Sequence, residues 1–261
     1  MKKIALLALA ASMGLALQAQ VIDPLNGDSL SEYTTTLVLD NSDGAGAGVS
    51  FSDSSGGLTA SYTGSVSDPE QALFLAPATD FSTVFGVGDT LFVDVNTPAS
   101  STTEDLGLAI AATATPTAAG SGNGYNSRPT FDWASISVRP SQAAIRVNTS
   151  VSGTVTTASY VGNIGTTANI SELFIQWVAA DTFNLGYVSN GVSVVDAPNI
   201  TFASGSQIGA DIGFYGDLRA TGTSLGTLSD LTIQPVPEPS TLAISGLGGI
   251  LGGFFMLRRK K

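Results

Sequence analysis

The sequence predicts an all-β fold, a single β-sandwich or jelly roll, and three observations predict it. Gly, Ser, Thr, Ala and Val dominate, while charged residues make up only 12% and the helix formers Lys, Glu and Arg are scarce. Short apolar stretches alternate with polar residues at the strand period of two. Turn residues recur every 8 to 15 positions, and away from the two ends no window of 12 or more shows a helical period.

The elements follow in order. Tyr33 to Leu39 is rich in β-branched residues and stops at the turn cluster Asp40-Asn41-Ser42-Asp43-Gly44. Leu91, Val93 and Val95 alternate in a second stretch, and Ile136 and Val138 in a third that ends at Pro140. Ala144 to Val147 resumes after a Pro-Ser turn. Phe174 to Val178 and Phe183 to Tyr187 read as a hairpin around Ala180-Asp181. Ile208, Ala210, Ile212 and Phe214 alternate, and Leu231 and Ile233 close the body. Twelve to fourteen short strands at this spacing suit a sandwich. Residues 113–127 form a low-complexity loop, and Gln234 to Pro237 read as a short linker. Nothing divides the body, so residues 20–235 are expected to be one domain.

The two ends are of another kind. Lys2 and Lys3, the apolar run Ile4 to Leu17 and a short polar region ending at Ala19 make a secretory signal peptide over residues 1–19. At the far end, residues 242–257 are mostly apolar and would span about 24 Å as a helix, short of the bilayer core of about 30 Å. Its glycines weaken it further as a permanent anchor. Arg258, Arg259, Lys260 and Lys261 follow it and would hold the end inside the cytoplasm. A weak span behind a rigid dipeptide and before a basic stop is the pattern of a transient sorting signal.

Pro237-Glu238-Pro239-Ser240-Thr241, the Gly-rich apolar run and the basic cluster together resemble the PEP-CTERM sorting domain, over residues 236–261. Proteins with that tail occur in Gram-negative bacteria that make exopolysaccharide. The resemblance implies an exosortase, a membrane cysteine protease or transpeptidase, that removes the tail near Pro237, Glu238 and Pro239. It also implies a transient inner-membrane intermediate and a final place at the cell surface or in the extracellular matrix.

Composition narrows the chemistry. The net charge is −11, and between the two ends the basic residues are only Arg128, Arg139, Arg146 and Arg219. Nucleic acid is a poor partner for such a surface, whereas divalent cations are compatible with it. With no cysteine there is neither a disulfide framework nor a thiolate metal site. With no histidine, Ser–His and Cys–His catalysis and histidine-bound zinc or iron are excluded.

The opening Asp23-Pro24-Leu25-Asn26-Gly27, the stretches Asp105 to Ile110 and Ile212 to Tyr215, and the closing Gly226 to Ile233 resemble concanavalin-A-like lectin/glucanase (laminin-G-like) sandwiches. In that family the first and last strands pair, so the terminal motifs would bracket the domain. The glucanase branch resembles a Glu-x-Asp-x-x-Glu strand, and this chain has none. Its body glutamates are only Glu32, Glu70, Glu104 and Glu172. Glu104 and Asp105 are adjacent and would point to opposite faces of a strand. No catalytic residue is expected and the chain reads as a non-enzyme, with a glycoside hydrolase as the remotest reading.

Two weak oxygen-donor sets remain. Asp40 and Asp43 sit in a turn that Ca²⁺ could accept, although the spacing is not that of an EF-hand and a solvated turn explains it as well. Asp211 and Asp217 flank Ile212 to Gly216 near a sheet rim, again with a turn as the bland alternative. Sugar binding would use aromatic faces with Asp, Asn and Arg around them. The densest such mix holds Tyr125, Arg128, Asp132 and Trp133, with Tyr187 and Tyr215 as further aromatic candidates. A place in the core is the competing reading for Trp133 and the expected one for Trp177. The expectation is an exported, tail-sorted surface or matrix protein associated with exopolysaccharide. A lectin-like, Ca²⁺-dependent carbohydrate-binding module is the alternative.

Overall fold

The computed structural model describes residues 19–28, 30–40, 49–62, 70–96, 105–112, 131–140, 144–151, 154–161, 169–203, 205, 208–218, 222–223 and 226–235, with backbone alone at 35–40, 70, 155–161 and 222–223. Sixteen strands are described: β1 (Gln20–Asp23), β2 (Thr35–Asp40), β3 (Val49–Ser52), β4 (Thr59–Tyr62), β5 (Glu70–Pro77), β6 (Asp89–Asn96), β7 (Asp105–Ala111), β8 (Trp133–Arg139), β9 (Ala144–Val151), β10 (Thr154–Val161), β11 (Ile170–Ala179), β12 (Thr182–Ser189), β13 (Val192–Thr201), β14 (Asp211–Leu218), β15 (Gly222–Thr223) and β16 (Thr227–Pro235). One sheet has the order β1-β16-β6-β11-β12-β13, a second β10-β9-β8-β7-β14-β5-β2, and a small third β15-β4-β3.

The two large sheets face each other across one core, which makes the expected all-β sandwich. Leu91, Val93, Leu173, Ile175, Phe183, Leu185, Leu231 and Ile233 come from the six-stranded sheet. Phe74, Leu108, Ile110, Ile136, Val138, Ile145, Val147, Ile212 and Phe214 come from the seven-stranded sheet. These positions alternate along each strand, which is why the period of two was readable in β6, β8 and β14. Burying each large side chain contributes roughly 1.5–3 kcal/mol. The small sheet closes one side: Phe51 stacks on Phe74 at 4.8 Å between ring centroids, and Phe51 and Ala60 pack over Gly216.

The chain's first and last described strands lie side by side. β1 pairs antiparallel with β16, Gln20 opposite Ile233, and β16 lies between β1 and β6. Behind β1 the backbone turns at Leu25 (φ 50) and Gly27 (φ 98), held by Asp23. The Asp23 carboxylate accepts the Leu25 N–H at 3.0 Å and the buried Tyr33 hydroxyl at 2.7 Å.

Several expectations change. The strands exceed the twelve to fourteen foreseen, because β1, β3, β4 and β15 are only two to four residues long. Gln234 and Pro235 are not linker: they close β16, opposite Thr90 and Asp89. Asp211 and Asp217 are not turn residues: they open and nearly close β14, buried inside the seven-stranded sheet. Trp177 is only partly buried and packs on the core edge against Phe85 and Phe183. Residues 1–18, the 113–127 loop and all of 236–261 lie outside the described residues.

Candidate functional site

The middle strands of the seven-stranded sheet, β7, β8, β9 and β14, are buried on both faces. The sheet's outer face, turned away from the shared core, is set by the other half of the alternation. Registers across β5, β14, β7, β8 and β9 place its residues in rows. Gln71, Asp217, Asp105 and Arg139 form one row; Leu73, Tyr215, Gly107, Ser137 and Arg146 the next; then Leu75, Gly213, Ala109, Ser135 and Asn148; then Pro77, Asp211, Ala111, Trp133 and Ser150. The middle of the floor is small. A Cβ added at Gly107 would collide with the Ile136 carbonyl, and one at Gly213 with the Phe74 carbonyl, so only glycine fits at either.

At one end of this floor lies a buried charge quartet. Arg139 holds both oxygens of Asp105, its Nη2 at 3.1 Å from Oδ2, and the same Nη2 reaches Asp217 Oδ2 at 3.2 Å. Arg146 Nη1 donates to Asp105 Oδ2 at 2.8 Å and to Asp217 Oδ2 at 2.9 Å. Gln71 Nε2 donates to Asp217 at 3.4 Å. Two cations and two anions cancel, which is how four charges persist in a place where an unpaired one would be very costly.

At the other end Trp133 stacks on Tyr215, with ring centroids 6.3 Å apart and planes 19° from parallel, among Leu73, Leu75, Ala109 and Ala111. Along the face, polar atoms outnumber their partners. Trp133 Nε1, Ser137 Oγ, Asn148 Oδ1, Ser150 Oγ and Gln71 Oε1 are buried with no hydrogen-bond partner. Asn148 Nδ2 reaches Ser135 Oγ only at 3.5 Å. Buried polar groups are ordinarily satisfied, so several orphans on one face need a reason.

The sequence candidates are divided by the structure. Trp133 is 0% exposed and Asp132 is buried, so Trp133 forms part of the wall of this face and presents no ring to solvent. Tyr215 joins it on the same face, whereas Tyr187 belongs to the core between the sheets. Tyr125, Arg128 and Asp43 lie outside the described residues, and of Asp40 only the backbone at the end of β2 is described. Among the described residues no group of three or more Asp and Glu side chains could hold a metal ion. Sequence reasoning singled out Asp217 only as a weak oxygen donor beside Asp211 and Asp105 only as the neighbour of Glu104, and it missed Arg139, Arg146, Ser135, Ser137, Asn148 and Ser150. One signal was present: half of the body's four arginines fall within β8 and β9, at positions alternating with core residues.

Two carboxyls of the body are pushed well above the usual carboxylate range. Burial, with help from Asp217, raises Asp105 to about 6 against the pull of Arg139 and Arg146. Partial burial, Glu172 and Asp230 raise Asp94 to about 6 on the six-stranded sheet. A carboxyl with a raised folded-state pKa holds its proton more tightly folded than unfolded. Its stabilisation is therefore full below about pH 4, its unfolded value, and lost as pH rises through about 6. The melting temperature is expected to be higher at about pH 5 than at about pH 7, and Asp94→Asn should flatten the trend. A melting temperature that climbs steadily from pH 5 to 7 contradicts this.

Residues 235–260 match the PEP-CTERM protein-sorting motif, which marks a secreted protein for exosortase-type processing at the membrane. No curated protein matches the sequence. Among solved structures, a protein of unknown function from Shewanella oneidensis MR-1 is similar at 11% identity and a TM-score of 0.44, over 89% of this chain and 95% of that one. The GlcNAcα1-4Gal-releasing endo-β-galactosidase from Clostridium perfringens is similar at 9% identity and 0.45, over 84% and 61%. The lectin UEA-II, complexed with galactose, is similar at 10% and 0.44, over 82% and 98%. At these values the likeness supplies no residue correspondence.

Proposed function

We propose that this is an exported, non-enzymatic surface or matrix protein whose body binds polysaccharide, with the outer face of the seven-stranded sheet as its site; that face is closed to solvent in this structure and must open to admit a sugar. The tail delivers the body to an exosortase-type enzyme at the inner membrane. The processed protein then works in the exopolysaccharide layer. The observation that carries the binding reading is the set of unpartnered polar atoms on that face. Trp133 Nε1 is a donor, Asn148 Oδ1 and Gln71 Oε1 are acceptors, and the Ser137 and Ser150 hydroxyls are both. A sugar's hydroxyls are likewise both donor and acceptor, and its C–H surface suits Trp133 and Tyr215.

Catalysis fits less well. Glycoside hydrolysis needs one carboxyl to give a proton and another to act as base or nucleophile. The paired carboxyls of this face, Asp105 and Asp217, are instead each bound to both Arg139 and Arg146.

The test is binding to a panel of neutral and acidic polysaccharides, including the producing cell's own, with and without Ca²⁺. Saturable binding is expected, weakened roughly two- to tenfold by Asn148→Ala or Ser137→Ala, since one hydrogen bond is worth about 0.5–1.5 kcal/mol. Neither change is large enough to unfold the sheet. Unaltered affinity in both variants moves the site elsewhere, and no binding by the folded protein removes the reading. Loss of binding on chelation would assign a role to Ca²⁺.

A further inference from the structure

We infer that one end of the sandwich, carrying Gln20, Val84, Val87, Val178 and Pro235, rests against the membrane surface while the tail is still in place. The inference builds on the reading that residues 242–257 enter the bilayer. Both membrane-directed segments leave the body at this end. β1 starts at Gln20, opposite Ile233, and β16 finishes at Pro235, opposite Asp89. Only residues 236–241 separate Pro235 from Leu242. Six residues reach about 20 Å at full extension, so this end of the body is held within about that distance of the hydrocarbon.

The surface there suits such a neighbour. Val84 is 68% exposed, Val87 58% and Val178 37%, and with Val21 they make up four of the six large apolar side chains exposed among the described residues. The segment bearing Val84 and Val87 is fastened to the strands behind it. The Phe85 ring packs on Trp177 at 5.5 Å, the Gly88 N–H donates to the Trp177 carbonyl at 2.8 Å, and Gln20 Nε2 donates to Ser82 Oγ at 3.0 Å. The described arginines, Arg139 and Arg146, are buried in the other sheet. Among the described residues no cation is therefore available to hold an anionic headgroup, and the contact is apolar.

The absence of cysteine makes the test direct. Val87→Cys and Asn190→Cys are each labelled with bimane in the full-length chain, in vesicles of phosphatidylethanolamine and phosphatidylglycerol carrying nitroxide on the acyl chains. Asn190 lies in the turn after β12, about 25 Å along that strand from Thr182. Quenching several-fold stronger at position 87 than at 190 is expected, and unchanged in high salt. Equal quenching in a chain that floats with the vesicles overturns the inference. A chain that does not float removes the membrane reading of residues 242–257, and the inference with it.

Discussion

Asp105→Ala is expected to destabilise the body by about 3–5 kcal/mol, the range for breaking a buried ion pair by removing one partner. The reason lies in the arithmetic of the quartet. With Asp105 gone, Arg139 and Arg146 share the single carboxylate of Asp217 in a site that water does not reach. Two buried arginines then face one carboxylate of the described quartet. Asp105→Asn, which keeps the volume and an acceptor oxygen, should lose less. Replacing the two aspartates and two arginines together with apolar residues of similar size should cost far less than the single change, since the pairs mainly offset their own desolvation. Urea unfolding of the three variants checks this. A loss below about 1 kcal/mol for Asp105→Ala would mean that water reaches the quartet.

Trp133→Ala is expected to cost about 3–5 kcal/mol, as a fully buried tryptophan truncated to a methyl leaves a cavity that its neighbours only partly close. Tyr215 loses its stacking partner, and Leu73, Leu75, Ala109 and Ala111 lose the side chain around which they cluster. The change would therefore confuse binding with folding, which is why the smaller Asn148 and Ser137 variants are the better probes of the face. Trp133→Phe should retain most of the stability, because the ring still fills the site and the orphaned Nε1 is removed with it. Urea unfolding that leaves Trp133→Ala within 1 kcal/mol of the parent would place the indole outside the packed wall.

The fold was legible where one face of a strand is apolar and the other polar, as in β6, with Leu91 and Val93 inward and Asp94 partly exposed. It was less legible where both faces are buried. β5 reads Glu-Gln-Ala-Leu-Phe-Leu-Ala-Pro with no alternation, because Leu73 and Leu75 pack outward while Phe74 packs inward. β8 hides its second face in another way. Trp133, Ser135, Ser137 and Arg139 alternate with core residues and look solvent-facing, yet all are buried. The charge quartet is assembled from β7, the neighbouring strands β8 and β9, and β14; Asp105 and Asp217 lie far from the two arginines in sequence, so only the strand order could join them. The carboxylates near one another in sequence, Asp211 and Asp217, were the ones that drew attention, and six residues apart along one strand they serve different ends of the face. The tail needed no fold at all, since motif, apolar run and basic stop follow one another along the chain.

The most direct test of the account reads the polysaccharide titration through Trp133 itself. The chain has two tryptophans, and Trp177→Phe leaves Trp133 as the sole emitter while keeping an aromatic ring against Phe85 and Phe183. If the outer face of the seven-stranded sheet is the site, saturating polysaccharide shifts Trp133 emission, with a midpoint matching the binding isotherm. Saturable binding that leaves Trp133 emission untouched would put the ligand elsewhere on the body and contradict the account.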